Sequence, residues 1–224
     1  MKNIVVIPAR GGSKRLPEKN IKMLGGKPLL THSIDYAKTF DFIDDIVVST
    51  DCNNIKEVAK QSSVRIIDRP AELAGDFTST VEVLQHAVTT LNLDKDDNII
   101  LLQATNPLRP KKLLEEAMKI YTTNSYNSLF TVSRDTHKLG KIKGDKFIPF
   151  NYEFGMRSQD MEPLYYENGL LYITKKHLID QGIIMNEESY PLFVEGHLGN
   201  VDIDDQYDFD FAEFVLKKTL RNES

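Results

Sequence analysis

The sequence predicts an α/β fold with a mostly parallel sheet covered by helices on both faces, and three observations predict it. Short, continuous apolar runs such as Ile4-Val5-Val6-Ile7 read as strands buried on both sides. Segments of helical period, each about ten residues long, alternate with those runs. Polar, glycine- or proline-containing loops follow the strands, where open α/β sheets gather their ligands. The chain has 224 residues, 41% apolar and 27% charged, enough to bury its own core without a disulfide or metal staple.

The elements follow in order. Ile4 to Ile7 is a strand closed by Pro8, and a basic glycine-containing loop runs from Ala9 to Asn20. Leu29 to Phe40 fits a helix, Asp45 to Thr50 a strand, Asn53 to Gln61 a helix and Val64 to Ile67 an extended segment. Ser79 to Leu91 is helical, with apolar positions at Val81, Val83, Leu84, Ala87, Val88 and Leu91, and Thr78 or Ser79 placed to cap it. Asn98 to Leu102 is a strand, Lys111 to Tyr121 a helix, and Ser128 to Val132 a strand. Strand–helix–strand crossovers of this kind are right-handed and yield parallel pairing. After Val132 the rhythm changes. Lys138 to Phe150 reads as a β-hairpin turning at Lys143-Gly144-Asp145-Lys146, and residues 151–166 are polar, aromatic and irregular. Leu170 to Ile173 resumes as a strand, Lys175 to Gln181 as a short helix and Tyr207 to Leu220 as a terminal helix, with a solvated charged end over Lys217 to Ser224. The expectation is one α/β domain over 1–224 carrying an insertion at about 134–190.

Composition narrows the function. A net charge of −5 argues against a non-specific nucleic-acid binder. No apolar run is long enough to span a bilayer and none has signal-peptide character, so a soluble, cytoplasmic protein is expected. Cys52 is the only cysteine, which leaves no intramolecular disulfide and reads as a packing residue or a partly exposed thiol after a strand. His32, His86, His137, His177 and His197 lack metal-ligand spacing and read as packing or surface residues. Tyr165 and Tyr166 read as packing residues of the insertion or of a dimer contact.

Four segments carry chemistry. In Ala9 to Asn20, two glycines permit close backbone approach, and Arg10, Lys14 and Lys19 suit phosphate oxygens, leaving Arg15 to solvent. Neither P-loop nor dinucleotide-loop spacing is present. In Arg69 to Thr80, the start of the next helix offers amides and hydroxyls that suit a nucleotide. Gln103 stands at the carboxyl end of a strand, within reach of a ligand. In Val201-Asp202-Ile203-Asp204-Asp205, alternation turns Asp202 and Asp204 to one side, a pair suited to Mg²⁺, with Asp205 capping the final helix.

Taken in order, IPARGGSKRLPEKN, STD at 49–51, RPAELAGD, LLQATNPLR, YYENGLLYI and VDID resemble the acylneuraminate cytidylyltransferases, the CMP-sialic acid synthetases, over about residues 3–218. The resemblance implies a nucleotide-diphospho-sugar-transferase-like three-layer α/β fold, and a homodimer made through the insertion. It implies that CTP and a sialic-acid-type nonulosonic acid react to give CMP-sugar and pyrophosphate. It places Arg10, Gly11, Lys14, Lys19 and Asn20 at the CTP phosphates, and Arg69, Asp76 and Thr80 around the cytidine. Gln103, Arg157, Asn168, Tyr172 and Phe193 are implied for the sugar acid, with Arg157 meeting its carboxylate, and Asp202 and Asp204 for Mg²⁺. Arg10, Lys19 and Asp204 are the implied catalytic set. Two departures fall on the sugar side. The stretch from Arg157 to Asn168 is one residue longer than the family pattern, and either Lys138 or Lys141 corresponds to a lysine at the insertion's first strand. The alternative acceptors are legionaminate, another nonulosonate, or 3-deoxy-manno-octulosonate, whose enzymes carry an acidic residue where Gln103 stands and lack YENG. A non-catalytic nucleotide-binding module is the remaining alternative.

Overall fold

The computed structural model describes residues 1–222, so the last two residues of the predicted solvated tail, Glu223 and Ser224, lie outside the described residues. In chain order the elements are β1 (Asn3–Pro8), β2 (Met23–Leu24), β3 (Lys27–Pro28), α1 (Leu29–Lys38), β4 (Asp45–Thr50), α2 (Asn53–Gln61), β5 (Arg65–Asp68), α3 (Thr80–Thr90) and β6 (Asn98–Leu101). Then come α4 (Leu113–Thr123), β7 (Ser128–Asp135), β8 (Gly140–Lys143), β9 (Lys146–Pro149), β10 (Leu164–Lys175), α5 (Lys176–Asp180), β11 (Tyr190–Phe193) and α6 (Gln206–Asn222).

Seven strands form the main sheet in the order β11-β7-β10-β6-β1-β4-β5. β1 pairs in parallel with β4 and β6, β4 with β5, and β7 with β11. Only β10 runs against its neighbours β6 and β7. Side-chain alternation explains the two covered faces. Val5 and Ile7 pack with Leu30 and Ile34 of α1, Ala59 of α2 and Leu114 of α4, while Ile4 and Val6 pack with Leu84, Ala87 and Val88 of α3. A smaller cluster joins Leu16, Leu24, Leu29, Val201, Ile203, Phe209 and Ala212. That cluster draws the basic loop, the VDID segment and α6 to one end of the sheet.

Local chemistry accounts for the helix starts. Ser79 accepts from the Glu82 amide while Glu82 accepts from the Ser79 amide at 2.7 Å, a reciprocal capping box that makes Ser79 the cap of α3. Asp205 Oδ1 accepts from the amides of Tyr207 and Asp208, so it caps α6.

The largest difference from the sequence expectation is β10. Its twelve residues extend the expected Leu170–Ile173 strand in both directions and place it mid-sheet. Asn168-Gly169 looks like a turn but serves as an irregularity, with pairing shifting between Glu167 and Tyr172. Much of the range 134–190 is therefore built into the domain. Only the β8–β9 hairpin and the loop after it stand off the sheet, exposing Ile142, Phe147, Ile148, Phe150 and Phe154. Among the described residues, no helix is long and apolar enough to cross a membrane.

Candidate active site

The loop after β1 folds back over the carboxyl end of the sheet. Asn20, buried at the far end of the loop, donates from Nδ2 to the Arg10 carbonyl at 2.9 Å and clips the loop shut. A Cβ on Gly11 would lie 2.7 Å from Cys52 Cβ, so only glycine lets the loop seat against the turn after β4. Gly11 does not line the cleft below. Its amide donates to Asp51 Oδ1 at 3.0 Å, so in the nucleotide-free protein it serves the loop's seating on the turn after β4. Cys52 is half-buried against it, the packing role.

Under the loop lies an open cleft of about 480 Å³, walled by Arg10, Lys14, Lys19 and Asn20 on one side and by Arg69, Asp76 and Thr80 on another. Gln103, at the end of β6, and Asp204 complete it. Two carboxylates already meet the cations. Arg10 pairs with Asp76 at 3.0 Å and Lys14 pairs with the other Asp76 oxygen. The hydrogen bond from Lys14, foremost, and the charge and bonding of Arg10 hold the Asp76 carboxyl below the usual range. Arg15 is exposed, as expected from the sequence, but it also has a partner: its guanidinium donates to Asp204 Oδ2 at 2.6 Å. Lys19 donates to Asp204 Oδ1 at 3.2 Å and to the Ile203 carbonyl at 2.7 Å. Arg69 is buried and donates to Ser49 Oγ and, at 2.6 Å, to the Ser49 carbonyl. Burial is the main reason its pKa is lowered.

A second open cleft, of about 530 Å³, is lined by Arg134, Asp135, His137, Glu167, Asn168 and Asp202 among others. The VDID segment divides the two spaces. Val201 and Ile203 are buried beneath it, the Ile203 amide donates to the Thr105 carbonyl at 2.9 Å, Asp204 faces the first cleft and Asp202 the second. Asp202 is open to solvent on its cleft side but otherwise enclosed. That enclosure first, and the nearby Asp204 and Asp208 charges after it, raise its pKa against the opposing Thr105 hydrogen bond and Lys19. Among the described residues, no group of three or more His, Cys, Asp or Glu converges as a complete metal cage. Two carboxylates on adjacent cleft floors fit a Mg²⁺ ion that takes its remaining ligands from phosphate and water.

The residues expected at the sugar acid are dispersed. Gln103 lines the first cleft and Asn168 the second. Asn168 also accepts from Thr131 Oγ1 at 2.6 Å and donates to Ser133 Oγ at 3.0 Å, so its amide ties β7 to β10. Tyr172 is a core residue, packed on the α3 face of the sheet, and its hydroxyl donates to Glu167. Arg157 lines neither cleft; its side chain is 70% exposed and holds Asp160 at 2.7 and 3.0 Å. Phe193 also lines neither; it stands edge-on to Tyr165 at 5.5 Å. The segment that carries Arg157 is an exposed stretch before β10, and its guanidinium is held within that stretch by Asp160.

Sequence reasoning passed over Arg15, Thr105, Arg134 and Glu167. Thr105 and Glu167 sit inside segments already singled out, whereas nothing in the sequence around Arg134 marks it. Asn106 is a further hidden support, buried and donating to the carbonyls of Asn168 at 3.3 Å and Val201 at 3.1 Å. Gly169 adopts φ +74°, and an added Cβ would lie 2.9 Å from Asn106 Oδ1. Gly169→Ala should therefore lose about 1–3 kcal/mol from backbone strain and the displaced amide. Thermal unfolding checks this, and an unchanged midpoint would refute the support role.

Comparison with known proteins adds four findings. The family model described as Cytidylyltransferase matches residues 4–223. An N-acylneuraminate cytidylyltransferase of Streptococcus agalactiae is 35% identical over 185 residues, covering 79% of this chain but 44% of that protein, so the chain spans less than half its length. A CMP-N,N'-diacetyllegionaminic acid synthase of Legionella pneumophila is 33% identical over 232 residues, covering 97% of each. The solved structure of CMP:2-keto-3-deoxy-manno-octonic acid synthetase complexed with CTP superposes with a TM-score of 0.71 at 15% identity, covering 98% of this chain and 100% of that one. That likeness shows a shared fold.

Proposed function

Because the chain belongs to the cytidylyltransferase family, we propose that it transfers the cytidylyl group of CTP to a sialic-acid-type nonulosonic acid, N-acetylneuraminate first, giving CMP-sugar and pyrophosphate. The observation that carries this reading is the pair of clefts meeting at Asp202 and Asp204, one basic and one polar. In such a transfer the acceptor's C2 oxygen bonds to the α-phosphorus as the bond to the bridging β-phosphate oxygen breaks. Positioning and charge neutralisation do most of the work. Arg10 and Lys14, moving from Asp76 to the phosphates, would offset the charge that grows on the leaving pyrophosphate. Lys19, anchored to Ile203, would keep a fixed positive charge at the boundary between nucleotide and acceptor. Arg69, Asp76 and Thr80 would bound the nucleoside, and Gln103 the acceptor. Asp202 and Asp204 would hold Mg²⁺, which when bound would neutralise phosphate charge and lower the pKa of the acceptor hydroxyl.

The acceptor is itself an anion, and Arg157 is held by Asp160 away from both clefts. We assign its carboxylate instead to Arg134. In the second cleft Asp135 is held by His137, Glu167 by Tyr172 and Asp202 by Thr105, whereas the Arg134 guanidinium bonds no partner among the described residues. Arg134→Ala should raise the acceptor KM on the order of tenfold or more, the worth of a charge-assisted hydrogen bond, with the CTP KM unchanged. Steady-state kinetics with each substrate varied reads this directly, and an unchanged acceptor KM would remove Arg134 from the site.

The 33% identity to the legionaminate enzyme, over nearly the full length of both chains, favours legionaminate as the second acceptor to test. The test is pyrophosphate release from CTP and Mg²⁺ with N-acetylneuraminate, N,N′-diacetyllegionaminate or 3-deoxy-manno-octulosonate, with the product mass confirmed. Release with a nonulosonate supports the reading. Release with the octulosonate alone overturns the substrate class, and CTP binding without turnover of any of the three points to another nonulosonate or to a binding module. The exposed apolar hairpin side chains support a homodimer formed through that segment. The proposed setting is the cytoplasm, with no nucleic-acid or membrane partner.

A further inference from the structure

We propose that Arg15 gates the cation site: it holds Asp204 until a triphosphate draws it away, so that the nucleotide makes the metal ligand available. The inference rests on the reading of Asp202 and Asp204 as the cation ligands. Both oxygens of Asp204 are engaged in the nucleotide-free protein, Oδ2 by Arg15 at 2.6 Å and Oδ1 by Lys19 at 3.2 Å.

The two cations differ in what else restrains them. The Lys19 side chain is 11% exposed and also donates to the Ile203 carbonyl at 2.7 Å, so it stays in place when the cleft fills. The Arg15 side chain is 68% exposed, and Asp204 is its one hydrogen-bond partner among the described residues. It is therefore the removable half of the pair.

Arg15 lines the same cleft as Arg10, Lys14 and Lys19. A triphosphate entering that cleft offers several anionic oxygens, against the single carboxylate that Arg15 now holds. A guanidinium binds phosphate oxygens in the same forked geometry it uses for a carboxylate, so the exchange requires only a swing of a long exposed side chain. Once it has moved, Asp204 Oδ2 is open beside Asp202, and the local positive charge that opposes a cation is lower. Metal and nucleotide then bind with positive coupling, each improving the site for the other. The basic loop thus binds phosphate and, through Arg15, controls whether the carboxylate pair can take a cation. Arg15 is a positioning residue in this scheme.

The test uses Mn²⁺ alone, followed by its electron paramagnetic resonance signal, on nucleotide-free wild-type protein, Arg15→Ala, Asp204→Asn and the double variant. Arg15→Ala should bind Mn²⁺ about fivefold more tightly than wild type, the upper range for an exposed ion pair, and Asp204→Asn in that background should abolish the gain. In protein carrying ¹⁵N-labelled arginine, CTP added with a chelator and no metal should shift the Arg15 guanidinium resonances. The same resonances should start from a shifted position in Asp204→Asn. Equal Mn²⁺ affinity in wild type and Arg15→Ala, with Asp204→Asn still weakening it, overturns the gate and leaves the metal reading standing. Mn²⁺ binding indifferent to Asp204→Asn in both backgrounds overturns the metal reading and the gate with it. An Arg15 resonance unmoved by CTP also overturns the gate.

Discussion

Asp204→Asn is expected to lower turnover on the order of a thousandfold, about 4 kcal/mol of barrier, while leaving the fold intact. The structural half follows from how Asp204 is held. Its neighbours Val201 and Ile203 are buried and untouched by the change, and its own amide still donates to Asp208 Oδ2 at 2.9 Å. The lost partners are Arg15 and Lys19, on a side chain 43% exposed, and pairs of that kind contribute at most about 1 kcal/mol. The catalytic half follows from removing a carboxylate at the junction of the two clefts, where a cation and a transferring phosphoryl group are proposed to meet. A further consequence separates this account from simple loss of charge. With Asn at 204, Arg15 is released to meet phosphate while Lys19 stays anchored to the Ile203 carbonyl, so CTP should bind at least as tightly in the absence of metal. Single-turnover kinetics, calorimetric CTP titration with a chelator and thermal unfolding check the three parts. Near-normal turnover would end the assignment of Asp204 as a cation ligand.

How far the sequence carries depends on whether the deciding contact is local. β4 and α2 fall at the bounds read from sequence, because a strand buried on both faces is a continuous apolar run and an amphipathic helix carries its own period. The α3 cap was legible to within one residue, Thr78 or Ser79, and the reciprocal bonds between Ser79 and Glu82 decide for Ser79. β10 was legible only in its second half. Its first half holds polar Tyr165, Tyr166 and Glu167, and Asn168-Gly169 imitates a turn that the surrounding pairing with β7 overrides. The site divides along the same line. Arg10, Lys14, Lys19 and Asn20 share one loop, so placing the loop places them. The partners those charges choose were not legible, since Arg15 and Asp204 are 189 residues apart. The sugar-side residues rested on resemblance alone. There Arg157 is paired locally to Asp160, and the exposed Phe193 packs on Tyr165, so neither lines a cleft in the nucleotide-free protein.

The other large effect is expected from a residue outside both clefts. Arg109 is 7% exposed, and its hydrogen bonds go to no carboxylate. Burial pushes its pKa down to about 10, which leaves it charged at neutral pH. Three neutral acceptors satisfy it: the Leu170 carbonyl at 2.7 Å, Ser33 Oγ at 3.0 Å and the Gln103 carbonyl at 2.8 Å, with the Tyr36 ring 5.7 Å from the guanidinium. Arg109→Met keeps much of the length and removes the buried charge, a change that can be neutral when every partner is replaced with it. Here the partners remain. Two main-chain carbonyls lose their guanidinium donors, and the Ser33 hydroxyl offers Gln103 only a 3.4 Å contact in exchange. Each unpaired buried acceptor costs about 1–3 kcal/mol, so we expect a net loss of about 2–4 kcal/mol after the recovered desolvation, or roughly 10 °C in a chain of this size. Arg109 also links the end of β6, which carries Gln103, to Leu170 beside Asn168-Gly169. The folded variant should therefore show a raised acceptor KM, and Arg109→Lys, able to keep some but not all of these bonds, should fall between. Thermal unfolding of the three proteins, with acceptor kinetics well below the lowest midpoint, measures both effects. A Met variant as stable as wild type would mean that the buried guanidinium costs as much as its three hydrogen bonds return.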